Sequence, residues 1–445
     1  NTGCVPSKAL IRTSRFLADI RNAKTLGVKS AEADFEFSDI MQRVKHVITQ
    51  IEPHDSTERY EKFGVECLSG EAKLVSPWEV DVNGQRLSAP NIVLATGGKP
   101  RIPDIPGIHD VAPLTSDTVW ELDELPPRLL ILGAGAIACE LGQCFNQFGS
   151  QVTIVLRGSQ ILSREDQDAA TLVANRLTQE GINICYEHTP VAFRALENGY
   201  ALSAQHQDKP VDIEFDRVLV ATGRTANLEG LGLEQLGIDT KDQELLEVDR
   251  FLRTRCPNIL ACGDLVGPHQ FTHAAGHQAW YTAVNALFGN IKKFAVDHRY
   301  IPFTIYTSPE IARIGLNEKE ADAQGISYEI TRYDLSDLDR AITDSNDYGM
   351  VKVLTVPGKD RILGATLVGS HASDMLAEFA LARRHGLGLN KILGTIHAYP
   401  TFSEANKFAA GAWKRAHSPE KLLTWIEKYH RWRRREQHRQ ASDLK

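Results

Sequence analysis

The chain has 445 residues, 42% hydrophobic, 24% charged and 7% aromatic, with a formal net charge of -7. That length suits about two to four domains with buried cores, and the composition excludes a disordered or collagen-like chain. No uninterrupted apolar run reaches the roughly 20 residues of a membrane span.

In chain order, Pro6-Ser7-Lys8-Ala9-Leu10-Ile11 opens a helix expected over 5–30. A second helix is expected over 35–63. Short alternating pieces at 65–68, 72–75 and 78–82 read as strands, and Asn83-Gly84 as a hairpin turn. A buried strand at 91–95 runs into Thr96-Gly97-Gly98. After Pro126-Pro127, a strand at 129–132 precedes Gly133-Ala134-Gly135-Ala136-Ile137-Ala138-Cys139-Glu140. The helix that follows runs to Phe148 and is stopped by Gly149. A strand at 151–156, a helix at 166–180 and a strand at 218–221 come next, the last ending in Thr222-Gly223-Arg224. A strand at 258–262 ends in Gly263-Asp264. Beyond about residue 296, strands at 301–306, 311–314 and 350–354 mix with helices at 318–325 and 371–386, an α+β texture. The repeated Ala-Thr-Gly hints at two related nucleotide-binding domains.

Charge is unevenly placed. Residues 414–445 hold ten Lys or Arg and four Asp or Glu, a local +6, so residues 1–413 carry -13. An acidic body is no nucleic-acid binder by charge. The tail reads as a helix from Ser418-Pro419, with Leu422, Leu423, Ile426 and Tyr429 at helical spacing beside Trp425, Trp432 and Arg433-Arg434-Arg435. It could dock on the acidic body, touch an anionic membrane surface weakly, or bind a partner.

Seven cysteines are too few for a disulfide scaffold, and none shows zinc spacing. A reducing, cytoplasmic setting is the default. Cys4 stands at a helix start, where a thiolate is favoured. Cys139 and Cys144 have C-x-x-x-x-C spacing, but five residues of helix rise about 7.5 Å and turn the thiols apart, so they read as packing residues. His269, His273 and His277 are four apart and could mimic a metal site; no metal is expected there.

The loop from Gly133 predicts dinucleotide binding. Gly133 permits the tight turn, Gly135 lets backbone approach a pyrophosphate, and Ala138 lets helix and strand pack closely. An NAD site usually has an acid at the end of the next strand. Here Arg157 stands there, with Arg164 close by, which suits the 2′-phosphate of NADPH better than NADH.

Gly3-Cys4-Val5-Pro6-Ser7-Lys8 resembles the second half of the redox segment of FAD-dependent pyridine nucleotide–disulfide oxidoreductases. The motifs at 95–98, 133–140, 221–224, Thr254 to Gly263-Asp264, and 399–404 follow in the family's order. The resemblance implies an α/β fold: two Rossmann-like domains for FAD and NAD(P), plus a C-terminal α+β dimerisation domain. The division expected is 1–118 and 239–296 for FAD, 119–238 for NAD(P), 297–413 for dimerisation and 414–445 for the basic tail. It implies that Cys4 is the thiol beside the flavin, that its partner cysteine falls two positions before Asn1, and that the pattern begins about forty residues upstream. Lys8 and Glu140 match a pair beside the flavin. Thr96, Gly97, Gly223, Arg224, Gly263, Asp264 and His273 match cofactor-binding positions. Tyr399 and Glu404 match the site completed across a homodimer. Thiol reductases place His where this chain has Tyr399, and His397 is two positions off. A phenol is a poor base near neutrality. Tyr there is a mercuric-reductase trait, although the chain's last residues include no cysteine. The implied activity passes electrons from NADPH through FAD and the cysteine pair to a disulfide, a metal ion such as Hg(II), or another small oxidant. A non-catalytic dinucleotide-binding or redox-sensing module is the competing class.

Overall fold

The computed structural model describes residues 2–241, 245–267 and 269–443. Two compact units span residues 1–311 and 312–445. Their boundary falls a little beyond the 296/297 division read from the sequence.

The first unit opens with α1 (Cys4–Arg21), α2 (Phe37–Ile51) and α3 (Thr57–Lys62). The helix expected over 5–30 ends at Arg21, and a short 3-10 turn (Ala23–Leu26) closes on Gly27 at φ 81. The helix expected over 35–63 is two helices. Pro53 has no N–H to extend the ladder, and Ser56 restarts it by accepting the Arg59 N–H. The strand expected at 65–68 is absent: this stretch pairs with no strand among the described residues.

β1 (Ala72–Ser76), β2 (Glu79–Val82) and β3 (Gln85–Ser88) form an antiparallel meander. Val82 faces Gln85 across Asn83-Gly84, both with positive φ, as a two-residue hairpin turn requires. Next come β4 (Ile92–Leu94) and β5 (Gly98–Pro100). The central βαβαβ run is β6 (Arg128–Leu132), α4 (Ala136–Phe148), β7 (Gln151–Val155), α5 (Gln167–Gln179) and β8 (Asn183–Cys185). Its apolar strands are buried, as helix-covered parallel strands are. After the antiparallel meander of β9 (Thr189–Ala195), β10 (Tyr200–His206) and β11 (Lys209–Phe215), β12 (Arg217–Val220) joins a parallel sheet in the order β12-β6-β7-β8.

β13 (Arg224–Ala226) then pairs antiparallel with β5. Two short strands follow, β14 (Thr240–Lys241) and β15 (Leu245–Leu246). β16 (Ile259–Ala261) runs parallel to β4. α6 (Thr272–Phe288) and β17 (Pro302–Ile305) complete the unit.

The second unit takes up the chain within β18 (Glu310–Gly315). It continues through α7 (Glu318–Ala323), β19 (Glu329–Asp334), α8 (Asp339–Thr343), β20 (Met350–Thr355), β21 (Ile362–Gly369), α9 (Ala372–Arg384), α10 (Leu389–Leu393), α11 (Glu404–Ala416) and α12 (Glu420–Asp443). Its strands run in the order β18-β21-β20-β19. Packing of α9 and α11 on this sheet closes a core around Phe379, Leu376 and Trp413. Lys352, which alternates with the core residues Val351 and Val353 and so faces the other side of the sheet, is buried and paired to Glu318 at 2.6 Å.

Candidate active site

Cys4 is the first residue of α1, and Thr272 is the first residue of α6. Their side chains meet, Sγ to Oγ1, at 3.5 Å. Neither helix has a side chain capping its N-terminus. Two sets of orphan N–H groups, each carrying partial positive charge, therefore begin beside one exposed sulfur. A cleft of about 380 Å³ opens next to it, lined by Cys4, Val5, Lys8, Arg12, Arg43 and Ile51 among others.

One helical turn after Cys4, Lys8 lies on the same face of α1. Its Nζ donates to Glu140 Oε2 at 2.9 Å and stands 4.3 Å from the centre of the Tyr306 ring. The other Glu140 oxygen accepts the Tyr306 N–H at 2.9 Å. Side-chain exposure is 7% for Glu140 and 33% for Lys8. The buried carboxylate thus has a partner for each oxygen, which such burial demands. Farther along α1, Arg15 Nη2 donates to the carbonyls of Tyr306 and Thr307 and to Glu310. Gln143, one turn after Glu140 on α4, accepts the Ser308 N–H and donates to its carbonyl. Residues 306–310 are therefore held over the α1–α4 contact by side chains from both helices. Burial raises the Tyr306 phenol above its usual pKa.

Tyr306 and Arg15 escaped the sequence reading. Arg15 carried a signal, since it repeats the Lys8 face two turns later. Tyr306 stood only at the end of an expected strand, whereas Thr272 lies in the Phe271-Thr272-His273-Ala274 segment that the family resemblance sets beside the flavin.

The two Ala-Thr-Gly segments end β4 and β12 and are tied reciprocally. Thr96 Oγ1 donates to the Asn227 carbonyl, and Asn227 donates back to the Thr96 carbonyl. Thr222 donates to the Arg101 carbonyl, whose own N–H bonds Gly223. Gly97 takes φ 68 and Gly223 φ 129. Arg224 bridges the loops: it donates to the Gly98 carbonyl, Ser116 and Asp117, and stands 3.7 Å from Asp264. Gly263 donates its N–H to buried Gln278, which sets the position of Asp264. His273 points its Nε2 at the Pro302 carbonyl at 2.6 Å. His269 precedes α6 while His273 and His277 lie on it, so the three do not share one helix face.

These residues fit a flavin. Cys4, the uncapped start of α6 and the Asp264 carboxylate belong to one unit and would offer a flavin a thiol, partial positive charge and a hydrogen-bond acceptor. When bound, FAD supplies two-electron transfer between a nicotinamide and a thiol pair.

The Gly133 loop is the candidate cradle for a nicotinamide dinucleotide. Gly133 has φ 102, and a Cβ there would sit 2.4 Å from the Ala221 carbonyl. Gly135 caps α4 with nothing within 4 Å of its Cβ position, which leaves room for a phosphate at the helix start. Ala138 is completely buried against the sheet. Arg157 and Arg164 are exposed beyond the end of β7.

Cys139 and Cys144 are buried on α4. Ser14 donates to the Cys144 sulfur at 3.2 Å. Burial pushes the Cys144 thiol up to about 12, and that of Cys139 up as well. They are packing residues, as the helix geometry predicts.

In the second unit, Tyr399 is 71% exposed and donates its phenol to Asp339 at 3.0 Å. That hydrogen bond and the Asp339 charge raise its pKa, so the phenol stays protonated well into alkali. Glu404 is buried and accepts the Thr401 N–H, which fixes the turn after Tyr399. His397 donates from Nε2 to Glu378 at 3.0 Å, and Asn406 donates to the same carboxylate. The imidazole is thus engaged in a largely buried pair. No local pattern pointed to Asp339.

Residues 1–284 match the sequence profile described as pyridine nucleotide-disulphide oxidoreductase, and residues 301–410 match that family's dimerisation domain. The chain is 30% identical over 413 residues to a mercuric reductase of Staphylococcus aureus, covering 92% of this chain and 75% of that protein. It is 33% identical over 417 residues to a dihydrolipoyl dehydrogenase of Chlamydia pneumoniae, covering 93% and 88%. Among solved structures, the Cu(II) complex of the HOCl-induced flavoprotein disulfide reductase RclA from Escherichia coli superposes with a TM-score of 0.79 at 25% identity. That match covers 92% of this chain and 89% of that one.

Proposed function

The chain belongs to the pyridine nucleotide-disulphide oxidoreductase family, whose members use FAD and a nicotinamide, and from that premise we propose that it passes electrons from NADPH through a thiol pair containing Cys4 to a metal ion or other small oxidant. The observation that carries this reading is Cys4 itself, exposed where α1 and α6 begin, with the Lys8–Glu140 pair one turn behind it. Lys8 holds a positive charge near the sulfur, and Glu140 with Tyr306 fixes where that charge sits. Gly133, Gly135 and Ala138 seat the dinucleotide, with Thr96, Gly97, Gly223, Arg224, Gly263, Asp264 and His273 around the flavin. Arg157 and Arg164, with no carboxylate at the end of β7, favour NADPH over NADH.

Two subunits pair through residues 301–410, and Tyr399 and Glu404 act on the thiol pair of the other subunit. A phenol kept protonated by Asp339 is a hydrogen-bond donor rather than a base. His397 is committed to Glu378. An acceptor that needs no general base at the thiol therefore fits better than glutathione disulfide or lipoamide.

An acceptor screen on the FAD-loaded protein tests this, comparing NADPH oxidation with Hg(II), Cu(II), quinones, glutathione disulfide and lipoamide. Faster turnover with the metal ions or quinones is expected. A kcat/KM for either disulfide substrate above all the others overturns the acceptor assignment.

A further inference from the structure

We propose that α12 seats the protein on an anionic lipid surface. This helix begins after residue 410, where the match to the dimerisation domain ends. The shared fold gives it no role.

Its apolar side chains recur at helical spacing. Leu422, Trp425, Ile426, Tyr429 and Trp432 fall within an arc of about 120° at 100° per residue. The rings form one continuous stripe: Trp425 lies 5.9 Å from Tyr429, and Tyr429 6.1 Å from Trp432. Trp425 is 62% exposed and Trp432 58%, while Leu422 and Tyr429 are exposed too. The stripe is exposed, and of the roles read from the sequence the membrane contact is the one that such a stripe favours. Leaving two Trp and a Tyr in water is costly unless something apolar meets them.

Charge selects the occupant. Residues 422–437 hold five Lys or Arg and two Glu, a net +3. Lys428, Arg431, Arg434 and Arg435 fall outside the apolar arc, and Glu427 pairs with Arg431 at 2.7 Å. Arg433, Arg434 and Arg435 begin directly where the stripe ends at Trp432. A second copy of the helix would be repelled by its like charge. Nucleic acid would satisfy the cations but offer the Leu422–Trp432 stripe no hydrocarbon phase to enter. An anionic bilayer satisfies both faces: the rings enter the interface and the cations meet the headgroups. No described helix is long and apolar enough to cross a membrane, so the helix lies in the interface plane.

The test is flotation of the full chain with vesicles of phosphatidylcholine alone, or with about one-third phosphatidylglycerol added. Binding to the anionic vesicles is expected, weakening as salt rises, with Trp emission moving to shorter wavelength. The triple variant R433Q/R434Q/R435Q should lose about a hundredfold in partitioning. The double variant W425S/W432S should lose the emission shift and bind more weakly. Unchanged far-ultraviolet dichroism shows that the variants fold. The proposal is overturned if the wild-type chain ignores anionic vesicles at low salt. It is equally overturned if neutral vesicles bind as well, or if both variants bind like wild type.

Discussion

Two helices of the first unit carry cysteines and treat them oppositely. On α1, Cys4 is the first residue, exposed, beside the start of α6. On α4, Cys139 and Cys144 are completely buried, one near the Ala134 carbonyl and the other against Ser14. The two helices pack against each other, and Lys8–Glu140 joins them. The same side chain is thus placed for chemistry or for packing by its position along a helix. Spacing alone would have chosen wrongly, because the C-x-x-x-x-C pair is the buried one.

The contrast should show first in alkylation at pH 8. A thiol pushed up to about 12 is ionised to roughly one part in ten thousand there. Cys144, and Cys139 with it, should react at least about a thousandfold more slowly than Cys4, as mass mapping with iodoacetamide can read. The same raised values set a stability trend. These thiols stabilise the fold fully below their unfolded pKa, and that contribution is lost as pH rises toward 12. Comparable labelling of all three in the folded protein would erase the comparison.

A smaller effect comes from cutting the link between the helices. Glu140→Ala leaves Lys8 without its carboxylate and the Tyr306 N–H without its acceptor. Because Lys8 is partly exposed, the expected loss is about 1–3 kcal/mol rather than the full cost of a buried broken pair. Urea unfolding measures it. A change within about 0.5 kcal/mol would make the pair an ordinary surface contact.

Much of this was legible in the sequence where one local rule decides. The α4 start after Gly135 and its stop at Gly149, at φ 117, follow from glycine placement. The Asn83-Gly84 hairpin follows from turn chemistry. The pairing of Lys8 with Glu140 spans 132 residues and was visible only through resemblance. Tyr306 and Asp339 were invisible because each acts through a partner brought near by tertiary packing. Residues 65–68 alternate like a strand but have no neighbour to bond, so alternation was no sufficient signal. The stretch 35–63 breaks into two helices at Pro53, which has no N–H to carry the ladder on.

The central claim is that Cys4 is the thiol that exchanges electrons with the flavin. Anaerobic titration of the FAD-loaded protein with NADPH, followed by absorption spectroscopy, tests it most directly. The wild-type protein should develop a long-wavelength thiolate–flavin band, and Cys4→Ser should lack it, while Cys139→Ser and Cys144→Ser keep it. A band that survives Cys4→Ser would contradict the assignment.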